Sequence, residues 1–340
     1  MAFIVDMRSD TVTKPTEAMK HAMVNSALGD DVYGEDPTVN ALESKLAALL
    51  GKQSALFVPS GTMANLIAIM VHCSKRGSEA FVGNLSHIYK YEQGIVLITL
   101  SSLLYARKAR DHDPLTSLVA VENTHNVCGG KALPLKFMDD LAAICKRHNL
   151  PIHMDGARLF NACEYLNEEP SRVVRDCDSI SVCFSKGLSA PVGSALVGSY
   201  HFIDQARRMR KILGGGMRQA GVLASAAIVA LDEVVPKLKL DHKRAQILFG
   251  TRWCCVKNVP KIFIIISFKY LDLAHEVVDM WDVDSAVIVP IVVTANGLIA
   301  KSLDQHLMRL SLGSWIKGLI QKAVLLDTAR IVRKFLSLEP

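Results

Sequence analysis

Four short stretches of the chain carry residues whose types and spacing suit chemistry. In Pro59-Ser60-Gly61-Thr62-Met63-Ala64-Asn65 the glycine lets the backbone approach a ligand closely, and the hydroxyls of Ser60 and Thr62 can cap a helix. Unpaired N–H groups and the positive dipole end at such a helix start make a phosphate cradle. A plain N-cap with no ligand has the same composition. In Pro151-Ile152-His153-Met154-Asp155-Gly156-Ala157-Arg158 an apolar strand ends in a carboxylate, with a guanidinium three residues on. The pair serves a ligand, or it is a mutual ion pair or a helix cap.

Lys186 closes the run Ser179-Ile180-Ser181-Val182-Cys183-Phe184-Ser185, beside Gly187. A buried ammonium is costly, and desolvation favours the neutral, nucleophilic form of an amine, so such a lysine suits a Schiff base. The alternative is a lysine that snorkels out to solvent. His87, in Asn84-Leu85-Ser86-His87, and His125, in Glu122-Asn123-Thr124-His125-Asn126, each follow an expected strand and point to the same edge. A single histidine so placed is commonly structural. Neither has a partner at ligand spacing, so no metal is expected. In this order, a phosphate cradle, a stacking histidine, a strand-end Asp and a lysine 31 residues after it describe a pocket for pyridoxal phosphate (PLP). That cofactor needs its phosphate anchored, its pyridine nitrogen kept protonated by a carboxylate, and its aldehyde held by a lysine.

The elements that would position these residues alternate along the chain. Asp36-Pro37 opens a helix with Leu42, Leu46, Leu49 and Leu50 on one face, ended by Gly51. Strands are expected at 54–58, 79–82, 95–99, 117–122, 151–155, 179–184 and 194–198, and helices from Met63, over 88–93 and over 138–148. Several of the strands are continuous apolar runs, as in strands covered on both faces. The fold class is therefore α/β, an open, mainly parallel sheet flanked by helices, in which ligands sit outside the carboxyl ends of the strands. From Phe202 to Leu248 the chain reads helical, with a break at Gly214-Gly215-Gly216 and a long apolar helix over 222–235 that Pro236 stops. Beyond residue 250 the periodicity is confused, with strands expected at 262–268 and 286–293 and a helix at 327–336. The organisation expected is a large domain over 1–238 and a small C-terminal α+β domain over 239–340.

Composition narrows the classes. The 340 residues are 50% apolar and 21% charged, ordinary for a globular chain and unlike a disordered, collagenous or coiled-coil one. Lysine and arginine number 39 against 33 acidic residues, for a net charge of +6, and the densest basic stretch is Arg207-Arg208-Met209-Arg210-Lys211. That is too short for a nucleic-acid footprint, so no nucleic-acid partner is expected. The eight cysteines show no paired spacing and read as reduced, intracellular thiols. No apolar run suits a bilayer span or a signal peptide, so a soluble, cytoplasmic protein without a membrane partner is expected.

Longer motifs carry a family resemblance. Residues 7–16 (Met-Arg-Ser-Asp-Thr-Val-Thr-Lys-Pro-Thr), 29–37 (Gly-Asp-Asp-Val-Tyr-Gly-Glu-Asp-Pro), 122–126, 153–158, 184–188 and 214–219 resemble the low-specificity L-threonine aldolases, over about residues 6–245. The resemblance implies the aspartate aminotransferase fold (fold type I) and a homodimer or homotetramer. It implies cleavage of a small β-hydroxy-α-amino acid, threonine or allo-threonine, to glycine and acetaldehyde. By the same resemblance Lys186 is the Schiff-base lysine, Asp155 partners the pyridine nitrogen and Arg158 lies near the cofactor's phenolic oxygen. His87 stacks on the ring, and Gly61 and Thr62 hold the phosphate. Arg218 contributes to the anionic end of the site, Ser9 touches the substrate carboxylate, Tyr33 borders the pocket across a subunit interface, and His125 sits near the β-hydroxyl.

Two regions depart from the family pattern. Only 17 residues, Leu100–Thr116, separate the strands expected at 95–99 and 117–122, where the family has a longer crossover. After about residue 248 the tail no longer follows the pattern. Arg309, in His306-Leu307-Met308-Arg309-Leu310-Ser311, is the nearest match to the family's carboxylate-binding arginine, and a surface residue is the alternative. The competing readings are a related PLP β-eliminating lyase and a catalytically impaired relative.

Overall fold

The structure, a computed structural model, describes residues 9–92 and 114–254, with side chains to residue 246. After a turn of 3₁₀ helix at Asp10–Val12 come α1 (Glu17–Val24) and α2 (Pro37–Leu49), then β1 (Ser54–Val58), α3 (Gly61–His72), β2 (Ser78–Phe81) and α4 (His87–Lys90). Next are β3 (Leu115–Glu122), α5 (Leu135–Arg147), β4 (Ile152–Gly156), α6 (Leu159–Leu166), α7 (Pro170–Val173), β5 (Ser179–Cys183) and β6 (Ser194–Gly198). Three helices close the described chain: α8 (Tyr200–Ile212), α9 (Gly221–Val229) and α10 (Leu238–Cys254).

Local chemistry sets the helix starts. Asp36 Oδ1 accepts from the N–H groups of Thr38 and Val39 at 3.1 and 3.0 Å, with Pro37 at the first helical position, so α2 begins where the sequence places it. Its buried residues Val39, Leu42, Leu46 and Ala47 recur at helical spacing. Leu49, expected on that face, is instead 36% exposed, at the last residue of the helix. Ser60, in extended backbone, caps α3 by accepting from the Met63 N–H at 3.2 Å.

The sheet has the order β1-β6-β5-β4-β3-β2. β2, β3, β4 and β5 are mutually parallel, and β6 runs antiparallel to both β5 and β1. Five strands therefore share one direction and present their carboxyl ends at one edge. β4, β5 and β6 are buried throughout, as the continuous apolar runs require. The return from β5 to β6 passes Gly193, at φ +110° with the Phe57 ring 2.6 Å from where a Cβ would stand, so only glycine fits there.

Pro236 does not end the last apolar helix as expected. α9 widens into a π turn at Ala230–Val234, tightens into a 3₁₀ turn at Val235–Lys237 and continues as α10. The change of winding accommodates a residue that lacks an N–H and clashes one turn back. The helices α1, α6 and α7 were not evident from the residue pattern. No described helix is long and apolar enough to cross a membrane. The six cysteines whose state is described, Cys73, Cys128, Cys145, Cys163, Cys177 and Cys183, are free thiols. The expected strand at 95–99 and those beyond 260, and the C-terminal domain past Cys254, lie outside the described residues.

Candidate active site

Asp155 is the fourth residue of β4, 3% exposed, at the carboxyl edge of the sheet. Its Oδ2 accepts from Asn65 Nδ2 at 2.9 Å, and its Oδ1 accepts from the Ala157 N–H at 3.1 Å, with Ser181 Oγ 3.5 Å away. Asn65 comes from the first turns of α3, whose start the Ser60 cap fixes. N–H donors on both oxygens fix the direction of the carboxylate.

His87 opens α4 through the Ser86 cap, whose Oγ accepts from the Tyr89 N–H. Its own N–H donates to Glu122 Oε2 at 2.8 Å, and its Nδ1 lies 2.9 Å from Glu92 Oε1. Glu92 is 1% exposed, and its Oε1 also accepts from Asn65 Nδ2 at 2.9 Å. The ligand-type atoms of His87, Glu92 and Asp155 lie within 4.8 Å of one another. Asn65 fills part of that space with N–H donors, which suit two carboxylates and do not suit a cation.

The hydrogen bond to Glu92 raises the His87 pKa above 6.5 against the opposing effect of burial, with the charges of Glu92 and Asp155 adding to the rise and the Lys186 ammonium opposing it. Stability from the protonated pair is fully present below the ordinary value of 6.5 and is lost as pH rises through the raised value. Glu92→Gln should flatten that fall in stability above pH 6.5, followed by urea unfolding at stepped pH. An undiminished fall in the variant would contradict the pairing.

His125 lies just past β3. Its backbone N–H donates to the Lys131 carbonyl at 2.9 Å, and its Nδ1 accepts from the Cys128 N–H at 3.4 Å, which leaves Nε2 to carry the hydrogen of the neutral ring. Glu122 Oε2 lies 3.9 Å from that Nδ1, while Oε1 accepts from the Asn126 N–H at 2.9 Å. Glu122 thus ties the two histidine loops together.

Lys186 follows β5 and is partly exposed. Its charge acts on His87, which places the ammonium near the imidazole. The N-terminal segment lies over this loop: Thr13 Oγ1 donates to the Lys186 carbonyl at 2.7 Å, and Gly187 lies against the Asp10 carboxylate. Asp10 takes Arg158 in a bidentate pair, with Nε and Nη2 each 2.7 Å from a carboxylate oxygen. Ser9 caps the first 3₁₀ turn, accepting from the Thr11 N–H at 3.2 Å and from Thr11 Oγ1 at 2.9 Å. Asp155, His87, Lys186, Arg158 and Ser9 therefore belong to one region of the carboxyl edge.

Gly61 and Thr62 stand at the open N-terminus of α3, with Thr62 exposed. Arg218 and Tyr33 form a separate exposed patch. Arg218 Nη1 donates to Asp30 Oδ2 at 2.8 Å, and the Asp31 N–H donates to the Arg218 carbonyl at 3.0 Å. Gly215 packs against the Met63 side chain, so this patch borders the start of α3. Arg309 lies outside the described residues.

Asn65, Glu92, Glu122 and Asp10 were not among the expected site residues. Asn65 carried a usable signal, an amide in the first turns of an otherwise apolar helix. Glu92 and Glu122 carried none, since their roles follow from loops brought together by the sheet.

The solved threonine aldolase of Leishmania major shares the fold, with a TM-score of 0.61 over 71% of this chain and 76% of that one at 22% identity. The beta-eliminating lyase family model matches residues 6–104 and 97–252, and the chain belongs to that family. Within it, the chain is 47% identical over 264 residues to the low-specificity L-threonine aldolase 1 of Arabidopsis thaliana, covering 72% of this chain and 74% of that protein. It is 44% identical over 260 residues to the low specificity L-threonine aldolase of Escherichia coli strain K12, covering 71% and 77%. The chain is a member of this threonine aldolase group. The two family stretches meet at the short crossover, and the match ends at residue 252, close to where the tail leaves the pattern.

Proposed function

We propose that the chain is a PLP-dependent lyase that cleaves threonine or allo-threonine between Cα and Cβ to give glycine and acetaldehyde. The observation that carries this reading is Asp155, a buried carboxylate held by Asn65 and the Ala157 N–H at the same sheet edge as Lys186 and His87. Four buried polar atoms at this edge, Ser194 Oγ, Thr124 Oγ1, Asn123 Nδ2 and Glu92 Oε2, have no hydrogen-bond partner among the described residues. Ser194 Oγ lies 3.6 Å from where a Cβ on Gly61 would stand, beside the helix start that suits a phosphate. Each unsatisfied buried polar group costs about 1–3 kcal/mol, which a polar ligand bound there offsets. These features fit PLP.

Bound PLP would supply a ring that accepts the electron pair released as Cα–Cβ breaks. Lys186 would hold the aldehyde and, once displaced by the substrate amine, return a proton to Cα. Asp155 would keep the pyridine nitrogen protonated, and His87 would cover the ring. The N–H groups of the α3 start, with Gly61 and Thr62, would hold the phosphate. Arg158, steadied by Asp10 through Nε and Nη2, would present Nη1 to the phenolic oxygen. His125, with Nδ1 facing the Cys128 N–H, would use Nε2 to orient the β-hydroxyl or a water that takes its proton. Ser9 and Arg309 would contact the substrate carboxylate and so orient the substrate for the cleavage. Arg218 and Tyr33 would complete the anionic end of a site across a subunit boundary in a cytoplasmic homo-oligomer. Val24, Leu28 and Tyr33, exposed by 84, 50 and 75%, support a covering copy there.

The family description keeps β-elimination as a second reading. Product analysis with threonine and with serine separates the two. Glycine with an aldehyde supports the aldolase; pyruvate or another keto acid with ammonia, and no glycine, would overturn it.

A further inference from the structure

Asp155 stands at the end of a buried chain of hydrogen bonds that runs across the sheet beneath α3. Alternation places His153 and Asp155 on one face of β4, and their register partners Ser179 and Ser181 on the same face of β5. α3 contributes Asn65 and, about two turns later, His72. These polar side chains sit in an interior that is otherwise apolar, and His153, Ser179, Asn65 and Ser181 are each at most 2% exposed.

The direction of the chain follows from Asn65. Its Nδ2 donates both hydrogens to carboxylates, to Asp155 Oδ2 and Glu92 Oε1, each at 2.9 Å. The reversed amide would set a carbonyl oxygen against two carboxylates. Asn65 Oδ1 is therefore the acceptor, taking Ser181 Oγ at 2.8 Å and His153 Nε2 at 3.1 Å. His153 must then carry its hydrogen on Nε2, so that Nδ1 accepts from Ser179 Oγ at 2.9 Å. Ser179 Oγ in turn accepts from His72 Nε2 at 2.9 Å. Every donor points toward Asp155. Burial lowers the pKa of His153 to about 3 and that of His72 to about 4, so both rings are neutral near pH 7, as a one-way chain requires. His72 ends the chain at a cavity of about 620 Å³ on the opposite sheet edge, lined also by Lys52, Asp178 and His201.

We propose that His153 is a positioning residue: by donating from Nε2 to Asn65 it locks that amide with both N–H groups on Asp155 and Glu92, and so holds the Asp155 carboxylate fixed in direction at the sheet edge. The consequence for catalysis rests on the reading of Asp155 as the partner of the PLP pyridine nitrogen.

Two substitutions separate this role from simple packing. In His153→Gln the side-chain amide reaches the place of Nε2 and can still donate to Asn65, whereas in His153→Asn it reaches only the place of Nδ1. With PLP labelled at the ring nitrogen, nitrogen NMR of wild type and His153→Gln should report a protonated pyridine, and His153→Asn should shift toward the unprotonated signal. Turnover should fall roughly 10- to 100-fold in His153→Asn, as for loss of an outer partner, with His153→Gln recovering most of it. KM for threonine should stay within about twofold, since the lost interaction is not one of substrate binding. Equal behaviour of the two folded variants would overturn the proposal.

Imidazole nitrogen NMR of the wild-type protein without cofactor tests the tautomer independently. A hydrogen on His153 Nε2 supports the chain as drawn, and a hydrogen on Nδ1 overturns it even if His153→Asn fails to fold. Failure of the wild type to take up PLP would sink the functional reading, while this tautomer would still decide whether the chain runs as drawn.

Discussion

Lys186→Ala should lower threonine cleavage by on the order of 10⁴-fold, because on the proposed mechanism the variant would lose both the amine that would hold the cofactor aldehyde and the group that would return a proton to Cα. The fold should survive. Lys186 is partly exposed, and among the described residues no hydrogen bond or ion pair engages its ammonium; only its carbonyl is used, by the Thr13 hydroxyl and the Ser189 N–H. Alanine keeps that carbonyl, so the unfolding free energy should stay within about 0.5 kcal/mol of wild type. Steady-state kinetics alongside urea unfolding checks both halves. Activity retained within tenfold would remove Lys186 from the mechanism.

Asp155→Asn should cost on the order of 10³-fold in turnover, the scale of losing an electrostatic contact made to developing charge in a buried site. The substitution keeps size and shape but removes the charge that would hold the pyridine nitrogen protonated. It also sets a second amide against the Asn65 Nδ2 donor, which would then bond the new carbonyl oxygen. Bound PLP should remain, since Lys186 and the α3 start are untouched, and its nitrogen NMR signal should move to the unprotonated position. A turnover loss accompanied by loss of all PLP binding would instead make Asp155 a structural anchor for the cofactor.

Much of the fold was legible because its strands are short apolar runs that end in polar residues. β1, β4, β5 and β6 fall within a residue or so of the expected bounds, and the carboxyl-edge positions of Asp155 and Lys186 follow directly. The caps Asp36 and Ser60 act through side-chain oxygens that any local reading finds. What was not legible depends on contacts distant in sequence. Asn65 meets Glu92, Asp155 and Ser181 only because α3 lies over β4 and β5. The polar alternation His153–Asp155 and Ser179–Ser181 was visible in the order of residues, but the register that pairs them was not. Arg158 showed its proximity to a carboxylate too near home: its partner is Asp10, brought in by the N-terminal segment, and not Asp155. Pro236 misled because the neighbouring turns can widen and tighten around a proline without ending the helical path.

Every step of the proposed mechanism would depend on this sheet edge holding PLP through Lys186. The protein should be incubated with PLP, reduced with borohydride and digested, and the peptides mapped by mass spectrometry. Cofactor fixed covalently to Lys186 is the predicted result. Cofactor fixed only to other lysines, or to none in folded protein, would contradict the mechanism.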